Sequence, residues 1–316
     1  MRAPLVREST AIAREAPRPL APVPDRCVLC GDSRLSLRFP ARGEMVPLDA
    51  GAWRCTSFGH RHHPPIYACD DCGLLFQWPM PPAEALEAAY AGVVDPLYMS
   101  ERENRILTFR KVIRTLGPGR GRTLLDVGAY CGYFLEVARE HGFRAEGLEL
   151  SRWAAAHARA QGFTVHSEPL EVRASAGQRY EVLTMWDVIE HLPDPREELA
   201  AARDLLVPGG RLYLSTIDTG SLVARLLGAR WPWLMDMHLV YFDRPTLSSF
   251  LEEAGFRVTD VRTYSHTVSA GYLLRKLGAS FPALAPLARG LARVVPTRWP
   301  VPVNLGDNML VSAERA

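Results

Sequence analysis

Two short stretches carry paired cysteines. "CVLCG" holds Cys27 and Cys30, and "CDDCG" holds Cys69 and Cys72. Thiolates spaced this way can grip one ion, the glycine behind each pair permits a tight turn, and four thiolates complete a tetrahedral zinc site. The gap from position 30 to position 69 is longer than usual zinc-ribbon spacing, so the intervening segment must loop out. That loop contains Cys55, His60, His62 and His63, which could substitute as ligands, hold a second ion or stand as solvated histidines. A redox pair or incidental cysteines are the competing readings. In "WDVIEHLPDP", Asp187, Glu190 and His191 cluster. Neutral imidazole is a general base near neutral pH. An Asp-x-x-Glu-His trio could instead hold a divalent cation, or Glu190 and His191 could fix a loop by hydrogen bonding.

A third constellation lies in "LLDVGAYCGYFLEVA". An apolar strand runs into Asp126 and Gly128, and a helix opens near Gly132. Glu149 ends the next strand, where a carboxylate can accept both hydroxyls of a ribose. A dinucleotide would call for G-x-G-x-x-G, so that backbone N–H groups meet a pyrophosphate. Here the turn reads G-A-Y-C-G, with Tyr130 where the middle glycine would stand. An acidic residue two positions before the first glycine suits an ammonium group. S-adenosylmethionine carries a ribose, an ammonium and a sulfonium but no phosphate, so this chemistry favours it over NAD.

These residues need strands and helices to position them. From position 122 the pattern alternates: strands at "TLLDVG", "FRAEGLEL", "FTVH", "YEVLTMW" and "GRLYLST", with helices between them at 132–142, 151–162 and near 195–206. Ser151 reads as an N-cap and Gly162 as a C-cap. A helix at "TLSSFLEEAG" and strands at "FRVTDVRTY" and "NMLVSAE" follow. Such alternation implies an α/β fold with a mainly parallel sheet covered on both faces. Upstream, helices are expected at 81–90 and 100–116.

The 316 residues, 47% hydrophobic and 23% charged, allow one sizeable core or two domains. A net charge of +2 gives no global bias toward nucleic acid. No apolar run reaches membrane-spanning length. The Ala-, Arg- and Pro-rich residues 1–24 lack a signal-type apolar region and read as a disordered tail, making the cytoplasm the default compartment.

From about 81 to 316 the chain resembles the class I S-adenosylmethionine-dependent methyltransferases. The matching pieces are the turn quoted above, "GLELSRWAAAHARAQG", "YEVLTMWDVIEHLPDP", "LLVPGGRLYLST" and "HLVYFDRPTLSSFLEEAGF". The resemblance implies a Rossmann-like sheet of seven strands, the last antiparallel, here with a small N-terminal zinc-knuckle lobe. In "VPGG", Pro208 is expected to stop a helix and Gly209-Gly210 to turn the chain into the next strand. The implied layout is a zinc-binding lobe at 25–80, a helical linker or lid at 81–120 and the methyltransferase domain at 121–316.

By the same resemblance, Asp126, Gly128, Ala129, Tyr130 and Gly132 surround the methionine part of S-adenosylmethionine. Glu149 takes the ribose. Leu150, Ser167, Glu168 and Pro169 lie near the adenine, and Trp186 and Asp187 floor the pocket. The implied acceptor is a small molecule: a sugar, a nucleotide-sugar or a secondary metabolite. An RNA acceptor, disfavoured by the near-neutral charge, and a non-catalytic zinc-dependent interaction module are the alternatives.

His191, Glu190 and His238 are the candidate catalytic residues. "ARWPWLMDMHLVYF" (229–242) is dense in aromatics, and Trp231, Trp233, His238 and Tyr241 either line an acceptor pocket or form a packing patch. Residues 261–306 contain six basic residues and no Asp or Glu. Leu284, Leu287 and Leu291 have helical spacing with Arg289 and Arg293 between them. The stretch 281–295 is thus a candidate for contact with a membrane surface or a phosphorylated acceptor, or the solvated face of a core helix.

Overall fold

The computed structural model describes residues 23–43, 53–56 and 62–316. The expected tail lies almost wholly outside the described residues, as does His60. The chain opens with three short strands, β1 (Leu35–Phe39), β2 (Ile66–Cys69) and β3 (Leu75–Gln77), then three helices, α1 (Ala83–Ala91), α2 (Pro96–Ser100) and α3 (Arg102–Leu116). The alternating region follows as β4 (Thr123–Val127), α4 (Tyr133–Glu140), β5 (Arg144–Leu148), α5 (Arg152–Ala160), β6 (Val165–His166), α6 (Leu170–Ser175), β7 (Tyr180–Trp186), α7 (Pro195–Leu205) and β8 (Leu206–Ile217). After α8 (Leu222–Leu227) come β9 (Val240–Tyr241), α9 (Arg244–Glu253) and β10 (Phe256–Thr263). The chain closes with β11 (His266–Ser269), α10 (Ala270–Ser280), α11 (Ala285–Leu291), β12 (Pro300–Val303) and β13 (Asn308–Arg315).

The main sheet has seven strands in the order β10-β13-β8-β7-β4-β5-β6. β8, β7, β4, β5 and β6 run parallel, and the final strand β13 is antiparallel to both its neighbours. The chain steps outward from β4 to β6, then crosses back to place β7 on the other side of β4. The crevice at the carboxyl ends of β4 and β7 is therefore the switch point where such sheets bind ligands. Local chemistry sets these elements. Ser151 accepts from the Ala154 N–H to cap α5, and Asp194, followed by Pro195, accepts from two N–H groups to open α7.

Two features depart from the sequence reading. Pro208 does not stop a helix, because α7 already ends at Leu205 and Pro208 lies inside β8. Tyr180 pairs with Leu206 while Val182 pairs with Arg211, so Val207–Gly210 form a bulge. Gly209 takes φ 72°, and a Cβ at Gly210 would stand 2.8 Å from the Val207 carbonyl, so the two glycines serve that bulge. Second, the N-terminal strands form a four-stranded sheet, β1-β2-β3-β9, whose last member comes from far downstream. Cys27, Leu29, Phe76, Phe242 and Phe250 share one apolar core with β7 and β8, fastening the cysteine-bearing segment to the main sheet.

Candidate functional site

The two cysteine pairs converge. Cys27 Sγ lies 3.7 Å from Cys72 Sγ, Cys30 Sγ lies 3.5 Å from Cys69 Sγ, and all four sulfurs fall within 4.8 Å of one another. Each pair sits on a turn closed by a glycine N–H donating to the first cysteine's carbonyl, from Gly31 to Cys27 and from Gly73 to Cys69. Gly31 and Gly73 both have positive φ, a conformation glycine adopts without strain. The Cys72 contact pulls the Cys27 thiol down to about 5, and the same contact pushes Cys72 up. This is a ready thiolate among soft ligands, a donor set that suits a tetrahedral cation. Neither Cys55, His62 nor His63 belongs to this cluster among the described residues. Cys55 lines the main cavity, and His63 is buried with Nδ1 2.8 Å from the Pro64 carbonyl.

That cavity, of about 580 Å³, opens at the switch point. Asp126 is buried at the end of β4, accepts a 2.6 Å hydrogen bond from the Thr184 hydroxyl, and is pushed up to about 8 by burial. Gly128 takes φ 72°, and a Cβ there would stand 2.7 Å from Val188 Cγ2, so only glycine lets the β4 and β7 loops approach. Tyr130 occupies the left-handed region at φ 46°, which is why a glycine would sit there at lower cost. Its ring packs edge-on against Tyr98, and its hydroxyl donates to Asp95.

Glu149 is buried at the end of β5. Its carboxylate accepts from the N–H groups of Tyr130 (2.8 Å) and Ser151 (2.6 Å). Burial pushes its pKa up to about 7, against the pull of those backbone donors. A carboxylate offers about four acceptor sites, and the backbone N–H groups of Ser151, Tyr130 and Leu150 act on this one, so acceptor capacity remains for a ligand hydroxyl. Ala129, Leu150 and Pro169 also line the cavity, as do Trp186 and Asp187. Asp187 is strained at φ 54° and accepts from the Ser215 hydroxyl.

Three expected residues lie outside the lining. Gly132 instead caps α4 at φ 79° and packs on Ala158 and Phe163. Ser167 accepts from Arg159, and Glu168 pairs with Arg173.

The other wall is built from the β7 loop and the segment before β9. Glu190 is buried, accepts from the Thr216 hydroxyl, and is pushed up to about 8 by burial and then by Asp187. His191 Nδ1 lies 2.8 Å from the Met237 carbonyl, and His238 Nδ1 lies 2.9 Å from the Trp233 carbonyl. A carbonyl can only accept, so both rings carry the proton on Nδ1. The His191 and His238 ring centroids stand 4.9 Å apart, and burial holds His191 below its usual 6.5. Ligand atoms of Glu190, His191 and His238 lie within 4.8 Å of one another; Asp187 does not join them. Trp233 and His238 line the cavity. Trp231 and Tyr241 are instead fully packed, with the Trp231 indole donating to Asp307.

Among the charged or titratable lining residues that sequence reasoning missed are Arg105, Lys276 and His266. Arg105 sits on the apolar stripe of α3 with Phe109, Val112 and Leu116 at helical spacing. A cation on such a stripe was a readable signal. Its guanidinium lies 4.8 Å above the Tyr98 ring, and its buried Nε has no hydrogen-bond partner. Lys276 on α10 holds its ammonium 4.1 Å from the Trp233 ring centroid, and burial pushes it down to about 7. His266 Nε2 lies 3.7 Å from Asp187 Oδ2. Trp186 Nε1 and the Tyr90 hydroxyl, both lining the cavity, are also buried without partners. Buried polar atoms without partners are costly, so this cavity is built to receive a polar ligand.

The family model described as a methyltransferase domain matches residues 99–261. The ubiquinone biosynthesis O-methyltransferase of Coxiella burnetii is 27% identical over 155 residues, 45% of this chain and 66% of that protein. The protein of that name from Paraburkholderia phytofirmans is 30% identical over 156 residues, 45% of this chain and 67% of that one. The chain thus spans about two thirds of the length of these relatives. A solved S-adenosylmethionine-dependent methyltransferase from Archaeoglobus fulgidus aligns with a TM-score of 0.46 at 18% identity, covering 70% of this chain and 100% of that one. The fold assignment rests on the strand order above.

Proposed function

The chain belongs to the methyltransferase-domain family of S-adenosylmethionine-dependent enzymes, and from that premise we propose that it methylates a small-molecule acceptor inside the cavity at the switch point. When bound, S-adenosylmethionine supplies a methyl group activated by the sulfonium. The observation that carries the site assignment is Glu149, a buried carboxylate that lines that cavity and keeps acceptor capacity beyond its backbone donors. In this reading Glu149 holds the ribose hydroxyls, Asp126 faces the ammonium group, and Arg105 takes the carboxylate of the amino-acid end. Gly128, Ala129 and Tyr130 supply close backbone, Leu150 and Pro169 flank the adenine, and Trp186 and Asp187 form the floor. Gly132 acts through helix packing.

The acceptor lies on the wall of Trp233, His238 and Lys276. The relatives' name, with its O-methyl transfer in ubiquinone biosynthesis, supports a hydroxyl on a small molecule. The sugar, nucleotide-sugar and secondary-metabolite classes all offer such a hydroxyl. Methyl transfer needs an in-line nucleophile in a water-poor pocket, and positioning supplies much of the acceleration. His191 serves as the general base through Nε2, its Nδ1–H being held by the Met237 carbonyl, while Glu190 and His238 pack beside it. The Glu190–His191–His238 triad also favours a second reading, a divalent cation bound by these three residues. The Cys27–Cys30–Cys69–Cys72 quartet holds a structural zinc.

Calorimetry with S-adenosylhomocysteine tests the cofactor assignment. One molecule should bind per chain, and Glu149→Ala should weaken binding roughly ten- to a hundredfold, corresponding to about 1.5–3 kcal/mol for a lost charge-assisted hydrogen bond. Unchanged affinity in a folded variant would remove Glu149 from the ribose site. Absence of binding by a zinc-loaded wild type would support an interaction module instead.

Affinity should also rise with pH. The ionised carboxylate is the better acceptor of two hydroxyls, and Glu149 in the free protein is held neutral up to about 7. Stability of the free protein should move the opposite way. A carboxyl raised from 4.5 to about 7 keeps a proton that the unfolded chain has lost, so its contribution to stability fades as pH rises across that window. Cofactor affinity that is flat from pH 6 to pH 8 would contradict the Glu149 assignment.

A further inference from the structure

The helix α11 is amphipathic in an inverted sense. Its small residues face inward: Ala285 and Ala288 lie against Gly278 of α10, close enough that a Cβ at Gly278 would be in contact with both. Its leucines face solvent. Leu287 is 60% exposed, and Leu284 and Leu291 are exposed as well. The chain leaving α11 also carries exposed apolar side chains, with Val294 77% and Trp299 62% exposed. A core helix would bury these side chains, and a solvated helix would not carry them.

The charge is equally one-sided. Arg289, Arg293 and Arg298 are exposed in the same segment, no Asp or Glu occurs between 261 and 306, and among the described residues no carboxylate pairs with these three arginines. Asp307, the next acid in the chain, is buried beneath the Trp231 and Trp233 indoles.

We infer that this face, from Leu284 to Trp299, docks on an anionic lipid bilayer. Exposed leucines and a tryptophan, in a segment whose charged residues are all arginines, match a surface that sinks apolar side chains among acyl chains while long guanidinium side chains reach lipid phosphates. Nucleic acid would satisfy the arginines but leave the leucines in water. No helix among the described residues is long and apolar enough to cross a membrane, so the contact is peripheral. Leu305 is both exposed and cavity-lining, so the cavity reaches the surface at that residue. The inference does not depend on which acceptor the enzyme methylates.

Co-sedimentation of the full chain with lipid vesicles tests it. The protein should partition onto vesicles of phosphatidylcholine mixed with phosphatidylglycerol, more weakly as salt is added, and hardly at all onto phosphatidylcholine alone. Replacing both Arg289 and Arg293 by Ser should weaken partitioning roughly twenty-fivefold, about fivefold per charge. Leu287→Glu should weaken it at least about tenfold. These side chains are exposed, so the melting temperature and the affinity for S-adenosylhomocysteine should stay at wild-type values and show that each variant is folded. No partitioning onto the mixed vesicles, or partitioning indifferent to these substitutions, overturns the inference. So does a wild-type dimer in sedimentation velocity that Leu287→Glu dissolves, since the face would then be an interface between two copies of the chain.

Discussion

His191→Ala should cut turnover by roughly 10²–10⁴-fold while leaving the affinity for S-adenosylhomocysteine within about twofold of wild type. The separation follows from position. His191 lies in the short turn after β7, beside His238, whereas Glu149 follows β5, so it can reach an acceptor without touching the ribose. Its Nδ1 is engaged by the Met237 carbonyl, leaving Nε2 to take the proton of an acceptor hydroxyl. Burial lowers its pKa from 6.5, so the imidazole is a neutral, competent base at pH 7. The wild-type profile should lose activity only below about pH 6.5, and the variant should lack that limb. If Glu190, His191 and His238 hold a cation instead, a chelator should abolish wild-type activity, and Glu190→Gln and His238→Ala should fail alongside His191→Ala. An active His191→Ala enzyme with an unaltered profile would assign the residue to loop packing, with catalysis by positioning alone.

Cys69→Ser should release the zinc and collapse the N-terminal sheet. Elemental analysis of the wild type should find close to one zinc per chain. Structural zinc contributes about 10–16 kcal/mol of apparent binding energy in zinc-finger peptides, so losing one thiolate of four removes a large part of what folds the segment. A fall in melting temperature of several degrees is expected, as about 1 kcal/mol shifts a domain of this size by about 2–4 °C. Activity should fall too, for a reason specific to this fold. β3 pairs with β9, and the Gln77 amide donates to the Met235 carbonyl. Those contacts hold residues 235–241, which carry His238 and the carbonyl that orients His191. A full zinc complement in the variant would show that other ligands hold the ion, and an unchanged melting temperature would show that the sheet folds without it.

The alternating core could be read from the sequence because its signals are local. β4 and β7 are short apolar runs bounded by turn residues, and Ser151 and Asp194 cap helices with their own side chains. Each cysteine pair was likewise legible from its own two-residue spacing, although the gap between the pairs was longer than usual. What escaped notice depends on distant partners. β9 is two residues long and exists only because β3 lies beside it. Pro208 resembled a helix stop, but its role is set by the bulge against Tyr180. Ser167 and Glu168 were placed near the adenine by resemblance, and both lie outside the cavity lining, where Ser167 accepts from Arg159 and Glu168 pairs with Arg173. Lys276 reaches the cavity through the packing of α10, which no local pattern encodes. The solvent-facing leucines of α11 had the spacing of a core helix, and only the alanine contact with Gly278 shows which side turns inward.

A crystal structure with S-adenosylhomocysteine bound tests the central claim most directly. The account predicts one ligand in the cavity between β4 and β7, both ribose hydroxyls within hydrogen-bonding distance of the Glu149 carboxylate, and the amino-acid end between Asp126 and Arg105. A ligand whose ribose lies away from Glu149, or a cavity without ligand at saturating concentration, would contradict it.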